Sequence, residues 1–271
     1  MIGLDRYDVA GTPIVPTTPQ ANHHSGGSDG HPFGQDAQAT TRNNINNKHG
    51  RAIRIAALNV GRIPIKLDNE KTKDLFAWIR EIKADIILLS EFGINWRNIH
   101  MDSNWHSRTK NEFQRISSSL SFNIHEKSKK PTLWGGTAII AIGNVASRVI
   151  QKGSDKSGMG RWSWLLLQGR ENLVVRIISV YSPSKYSKGP FSVWQQQRTR
   201  LIELGVDKDP IDIWIEDLRT SLREWKKNGE SIIIGGDINQ NILSSPLQVM
   251  LSEEGIMERI KQNQNHKIET Q

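Results

Sequence analysis

A chain of 271 residues with no cysteine and a formal net charge of +8 holds enough residues for one large domain or two small ones. Lacking cysteine, it excludes a disulfide scaffold, thiolate catalysis and any Cys-ligated zinc. No apolar run approaches the roughly 18 residues a membrane span needs and no signal-peptide pattern opens the chain, so the expectation is a soluble, intracellular protein without membrane contact, whose positive balance favours polyanionic partners through counterion release.

Residues 1–50 are rich in Gly, Pro, Thr, Asn and His with almost no apolar periodicity, which predicts a disordered tail. His23, His24, His31 and His49 lie in it and read as solvated side chains rather than metal ligands. Order is expected from Arg51, with one domain over residues 51–260 and a polar tail over residues 261–271. Residues 51–58 read as a strand followed by Asn59-Val60-Gly61. Asp68 or Asn69 can cap a helix whose Leu75, Phe76, Ile79 and Ile82 recur at helical spacing. Residues 85–90 form a wholly apolar strand of the kind covered on both faces, and Glu91 follows it. Strand, helix and strand make a crossover that leaves the two strands parallel, so Asn59 and Glu91 emerge at the same sheet edge. Ligand sites in such sheets lie beyond the carboxyl ends of the strands.

From Phe92 to Lys130 the pattern is weaker. It predicts a helix over residues 111–120, a basic loop over residues 127–130, and surface or packing roles for His100, His106 and His125. Strands are then predicted over residues 136–142, 145–151, 161–168 and 173–180, joined as antiparallel hairpins. Trp162, Trp164 and Leu166 alternate toward a core, and Tyr181-Ser182-Pro183 closes the last strand. A helix over residues 190–204 carries Gln195, Gln196, Gln197, Arg198 and Arg200. Another has Asp209 as N-cap, Pro210 at its first position, an apolar stripe from Ile211 to Trp225 and Gly229 as its stop. Its Arg219, Arg223, Lys226 and Lys227 fit either a solvated face or a phosphate track. Ser231 to Ile234 is a short buried strand ended by Gly235 and Gly236. Asp237 and Asn239, two positions apart, then point to one side of extended chain. A site at the mouth of a sheet and a strand closed by an Asx turn both account for them. Ser245-Pro246-Leu247-Gln248 opens a last helix, which Gly255 ends.

Five polar residues, Asn59, Glu91, Tyr181, Asp237 and Asn239, each directly follow a strong strand. In a basic chain without sulfur ligands they suggest an oxygen-ligand site for Mg²⁺ or Mn²⁺. Leu58-Asn59-Val60, Leu89-Ser90-Glu91, Trp134-Gly135-Gly136-Thr137-Ala138, Val180-Tyr181-Ser182-Pro183 and Gly236-Asp237-Ile238-Asn239 together resemble the endonuclease/exonuclease/phosphatase superfamily. Within it, the order of motifs and Gly160-Arg161-Trp162-Ser163-Trp164 are most similar to the apurinic-type endonuclease domain of non-LTR retrotransposons. The resemblance implies an α/β fold, a DNase I-like four-layer α/β sandwich, that hydrolyses DNA phosphodiesters with Mg²⁺ or Mn²⁺. It further implies that Glu91 ligates the metal with Asn59 assisting, that Tyr181 contacts the scissile phosphate, and that Asp237 and Asn239 orient the attacking water. The sequence departs from that pattern at Gly61, where an acidic or polar residue is usual, at Ser90, and in lacking the family's closing Ser-Asp-His strand; His266 has no strand context. The expectation is therefore a C-terminally truncated copy, missing its last strands, with weak or absent activity. A non-catalytic nucleic-acid binder, or a phosphatase or RNA phosphodiesterase of the same superfamily, are the alternatives, and a nuclear location would follow from the resemblance alone.

Overall fold

The computed structural model describes residues 6–7, 13–14, 52–64, 69–100, 104–127, 132–184, 189–240 and 245–257. Two-residue strands β1 (Arg6–Tyr7) and β2 (Pro13–Ile14) pair antiparallel; the rest of residues 1–50, all of residues 261–271, Asp68 and residues 128–130 of the expected basic loop lie outside the described residues. The elements that follow are β3 (Ile55–Asn59), α1 (Glu70–Glu81), β4 (Ile86–Ser90), α2 (Trp105–Glu112), β5 (Ile116–Ser121) and β6 (Thr137–Ile142). A 3₁₀ turn over Gly143–Arg148 leads to β7 (Val149–Ser154), β8 (Trp162–Gln168) and β9 (Val174–Tyr181). Helices α3 (Val193–Glu203) and α4 (Pro210–Lys227), strand β10 (Ser231–Asp237) and helix α5 (Pro246–Glu253) complete the order.

Two four-stranded mixed sheets result, one ordered β3-β4-β6-β5 and the other β10-β9-β8-β7. β3 and β4 are parallel, as the α1 crossover requires, and so are β9 and β10, while the remaining pairs are antiparallel. β4 explains why the sheets stack. All five of its residues are buried, and successive side chains of a strand point to opposite faces. Ile86 and Leu88 pack with Ile139, Leu165, Leu167 and Ile177 between the sheets. Ile87 and Leu89 face the other way, under Leu75, Phe76 and Ile79 of α1. On the far side, Trp214, Leu218, Leu222 and Trp225 of α4 cover Trp162, Ile178 and Val180. Helix, sheet, sheet and helix are four layers, the expected α/β sandwich, with each fully buried aliphatic side chain contributing about 1.5–3 kcal/mol.

Helix ends follow the local chemistry. Asn69 accepts from the Lys71 backbone N–H at 2.9 Å, Asp209 accepts from Ile211 at 2.8 Å ahead of Pro210, and Ser245 caps α5 ahead of Pro246. Three predicted elements are corrected. The strand expected over Ser231 to Ile234 is neither ended by Gly235 and Gly236 nor fully buried: β10 runs to Asp237, and as an edge strand it leaves Ile233 40% exposed. Residues 111–120 are not a helix: α2 ends at Glu112 and residues 116–121 form β5, antiparallel to β6. Serines alone favour caps and turns, but here partners across the chain take their hydroxyls. Ser118 Oγ lies 3.0 Å from His106 Nδ1, and Ser119 Oγ donates to Gly153 O at 2.6 Å. Residues 145–151 likewise divide between the 3₁₀ turn and β7, and the hairpin expected between them and residues 136–142 does not form, because the turn carries the chain from β6 in one sheet to β7 in the other.

Candidate active site at the rim shared by two sheets

Each sheet ends its parallel pair, which includes one edge strand, at the same rim. Asn59 is the last residue of β3 and stands opposite Ser90, the last of β4, so that Glu91 leaves beside it. In the second sheet Tyr181 and Asp237 terminate β9 and β10 in direct register. Glycine brings the rims together. A Cβ at Gly235 would lie 2.6 Å from Leu88 Cδ1 of the facing sheet, and one at Gly236 (φ +140°) would lie 2.1 Å from the Val180 carbonyl oxygen. Only residues without side chains permit so close an approach. Just below the rim, Ser179 Oγ donates to Leu89 O at 3.0 Å and Thr137 Oγ1 to Ser163 Oγ at 3.1 Å, tying sheet to sheet.

At the rim itself all five sequence-predicted residues meet. Asn59 Nδ2 donates to Asp237 Oδ2 at 2.7 Å, and Tyr181 OH donates to Glu91 Oε1 at 2.6 Å. Both bonds cross from one sheet to the other. The Asn239 backbone N–H donates to Asp237 Oδ1 at 3.1 Å, while its side-chain Nδ2 donates to Ser182 O at 2.8 Å. Asp237 and Asn239 thus form the Asx turn and the polar cluster at once. Glu91 (φ +58°) and Asn239 (φ +51°) both hold left-handed backbone, a conformation that costs energy outside glycine and concentrates at functional sites.

The electrostatics follow from burial. Desolvation pushes the Asp237 carboxyl above its usual value and the charge of Glu91 adds to this, against hydrogen bonds from Asn59 and Asn239 that favour the ionised form. Burial, followed by the charge and hydrogen bond of Glu91, drives the Tyr181 phenol far above its ordinary range. Its proton therefore stays on as a donor. Glu91, Tyr181 and Asn239 floor a cleft of about 340 Å³ whose walls include Trp134, Phe191 and Val193. Among the described residues no histidine lines this cleft; His106 is held by Ser118, and His125 Nε2 lies 2.7 Å from Ser157 O.

Sequence reasoning missed three neighbours. Lys71, in the first turn of α1, donates from Nζ to Gly61 O at 2.7 Å; burial lowers its pKa while the charge of Glu91 pulls the other way. The α1 N-terminus follows β3 at this same rim, which was the available signal. Ser182 and Gln240 are the others, linked at 3.2 Å beside the Asn239 contact. Arg161, part of the motif quoted above, is structural. Its guanidinium is buried and bidentate to Asp155 at 2.7 and 2.9 Å, with Asp217 at 2.8 Å.

Among the described residues no three His, Asp or Glu side chains gather as a metal cage. A magnesium-sized ion does not require one, since it is commonly held by one or two carboxylates with water and substrate phosphate completing its shell. The Glu91 carboxylate and the Asn59 amide oxygen are hard oxygen donors of that kind at one rim, so the donor chemistry fits. Asn59 Oδ1 already accepts from Gly61 N–H at 2.9 Å, which fixes the orientation of the amide. Among the described residues no helix is long and apolar enough to cross a membrane.

No protein-family model and no curated protein sequence matches the chain. Solved structures do. An endonuclease/exonuclease/phosphatase from Bacteroides vulgatus is similar at 11% identity and a TM-score of 0.46, over 76% of this chain and 73% of that one. An AP endonuclease from Archaeoglobus fulgidus is similar at 15% identity and a TM-score of 0.42, over 78% and 67%. The endonuclease domain of TRAS1, a telomere-specific non-LTR retrotransposon, is similar at 17% identity and a TM-score of 0.43, over 75% and 72%.

Proposed function

We propose that this chain is a divalent-metal-dependent phosphodiesterase acting on DNA, of the retrotransposon endonuclease type. The observation that carries the reading is the pair of hydrogen bonds, Asn59 to Asp237 and Tyr181 to Glu91, that join acid and donor groups from two sheets at one rim, where Glu91 and Tyr181 line the cleft. The order of the five motifs along the chain supports the finer assignment, and the formal net charge of +8 suits a polyanionic substrate.

In this reading Asp237 is the proton acceptor for the attacking water. Its two oxygens are fixed by the Asn59 side chain and the Asn239 backbone N–H, and its raised pKa moves it toward the value at which a base acts near neutrality. Tyr181, protonated throughout the physiological range, turns its O–H from Glu91 to a phosphate oxygen and stabilises the charge that develops there. A Mg²⁺ or Mn²⁺ ion held by Glu91 and Asn59 would supply Lewis-acid stabilisation of the same oxygens. With no imidazole among the described residues that line the cleft, turnover is expected to be slow, because a well-placed acid–base group contributes about 10²- to 10⁴-fold.

Plasmid nicking in Mg²⁺, with and without a chelator, tests the proposal on the wild-type chain and on Glu91→Ala and Asp237→Ala. Nicking that needs the metal and disappears in both variants supports it. Nicking that survives both substitutions, or DNA binding with no cleavage in any metal, refutes it.

A further inference from the structure

Most large apolar side chains of this protein are buried, yet two aromatic rings stand exposed on the walls of the cleft that holds Glu91, Tyr181 and Asn239. Trp134 is 44% exposed and Phe191 67%. Singly exposed apolar residues need no explanation, but these two are braced. The Arg62 guanidinium lies over the Trp134 ring, 3.2 Å from its centroid, and the Arg62 backbone N–H donates to Glu91 O at 2.7 Å. The place of the indole is therefore tied to the place of the carboxylate. Beside it, Gly135 (φ +85°) packs so close to α3 that a Cβ there would lie 2.8 Å from Val193 Cγ2. Val193 is two residues beyond Phe191, whose carbonyl accepts from Gln196 Nε2 at 3.1 Å, and Ser192 caps the helix between them. Both rings are thus mounted on the same junction of loop and helix, next to polar groups that face a phosphate in the proposed function.

A ligand with a charged end for the floor and a flat apolar end for the walls is a nucleotide. Resting on the phosphodiesterase reading, we propose that Trp134 and Phe191 form a stacking shelf for the nucleobase adjoining the scissile phosphate, so that the site selects an unpaired or extruded nucleotide over a paired one. Every base has a π-face, so such a shelf tolerates any sequence. A base inside a duplex already has both faces covered and must leave the stack to use it, which costs unpairing energy unless the strand is single or mismatched there.

The 271-residue chain carrying Glu91→Gln, in which turnover is slowed, tests this by titration in Mg²⁺ with three fluorescently labelled oligonucleotides: a single strand, its complete duplex, and a single strand carrying base-free tetrahydrofuran residues. Adding Trp134→Ala is expected to weaken single-strand binding about 5- to 150-fold, the range for losing one base–aromatic stack. Trp134→Phe should restore most of that loss, and Phe191→Ala should show a smaller loss in the same direction. The base-free strand should bind weakly and respond to none of these changes. Equal affinity of the parent for base-bearing and base-free strands, or single-strand binding untouched by both alanine substitutions, overturns the shelf. So does an aryl phosphate ester that displaces no oligonucleotide yet loses affinity in Trp134→Ala, since the rings then serve a different ligand. The two readings fail separately. Base-dependent binding with no cleavage by the wild type refutes the phosphodiesterase and upholds the shelf; wild-type cleavage indifferent to both rings does the reverse.

Discussion

Replacing Gly236 with alanine probes the junction on which the site depends. The residue precedes Asp237 at the end of β10, holds φ +140°, and leaves no space: a Cβ would lie 2.1 Å from Val180 O, 2.9 Å from Val180 N and 3.0 Å from Val180 C. These are backbone atoms of β9, which cannot swing aside as a side-chain tip can. Holding a non-glycine residue at such a φ costs about 1–3 kcal/mol, and forcing extra volume into a packed contact costs about another 1–3 kcal/mol. Their sum, about 2–6 kcal/mol, is a large share of the 5–15 kcal/mol of a typical domain. Two other glycines calibrate the effect. Gly229, just past α4, has φ +77° and nothing within 4 Å of its would-be Cβ, so its alanine variant should lose only the strain of about 1–2 kcal/mol. Gly235 would meet the end of the buried Leu88 side chain rather than backbone and should fall between. Urea midpoints should therefore rank wild type, Gly229→Ala, Gly235→Ala and Gly236→Ala in falling order, at similar m-values. Cleavage should be lost in Gly236→Ala well below its midpoint, because β10 must part from β9 and carry Asp237 away from Tyr181. A Gly236→Ala protein as stable and active as Gly229→Ala would refute the register of Asp237 with Tyr181, and with it the site.

Tyr181→Phe removes the donor to Glu91 and, in the proposed chemistry, the donor to phosphate; kcat for oligonucleotide cleavage should fall about 10²- to 10³-fold, the effect of losing one such preorganised donor, with KM little changed. Asp155→Ala leaves the buried Arg161 guanidinium paired with Asp217, itself 46% exposed, and should destabilise the protein by about 3–5 kcal/mol in urea melts. The same pair predicts a pH dependence. Burial opposes ionisation of Asp155, but the hydrogen bonds and charge of Arg161, with Ser157, outweigh it and hold the carboxyl below its usual value. A depressed folded-state pKa contributes stability that is present above the unfolded carboxylate pKa and is lost as pH falls through the folded one. Asp155→Asn should accordingly flatten the acid limb of the stability profile while lowering the neutral plateau; an unchanged acid limb would count against the ion pair.

Much of this architecture is legible in the residues because local and tertiary preferences agree. The apolar run from Ile86 to Leu89 has no polar face to leave in water, so it must lie between layers, and the chain from Asn59 through α1 to Glu91 then admits only a parallel pair. Gly235 and Gly236 after three isoleucines do not end the strand, since β10 runs through them to Asp237, but they do mark its closeness to neighbouring groups. β5 was not legible for the opposite reason. Ile116-Ser-Ser-Ser-Leu120 has no strand preference of its own, and β6, His106 and Gly153 supply it from elsewhere in the chain. At the site, periodicity places five polar residues at strand ends but says nothing of which pairs touch. Asn59 with Asp237, and Tyr181 with Glu91, depend on how two sheets face each other across sequence separations of 178 and 90 residues. Lys71 was hidden in an ordinary first helical turn, and Trp134 in a motif whose glycines drew the reading.

The central claim is that side chains from two different sheets act on one phosphodiester as a unit, and a double-mutant cycle between Glu91→Gln and Asp237→Asn on the rate of oligonucleotide cleavage tests it most directly. Each substitution alone should lower kcat/KM by about 10²- to 10⁴-fold, and the double variant should be little worse than the more damaged single, since residues that work as a unit are grossly non-additive. A double variant reduced by the full product of the two single losses, or either single variant cleaving at the wild-type rate, would contradict the account.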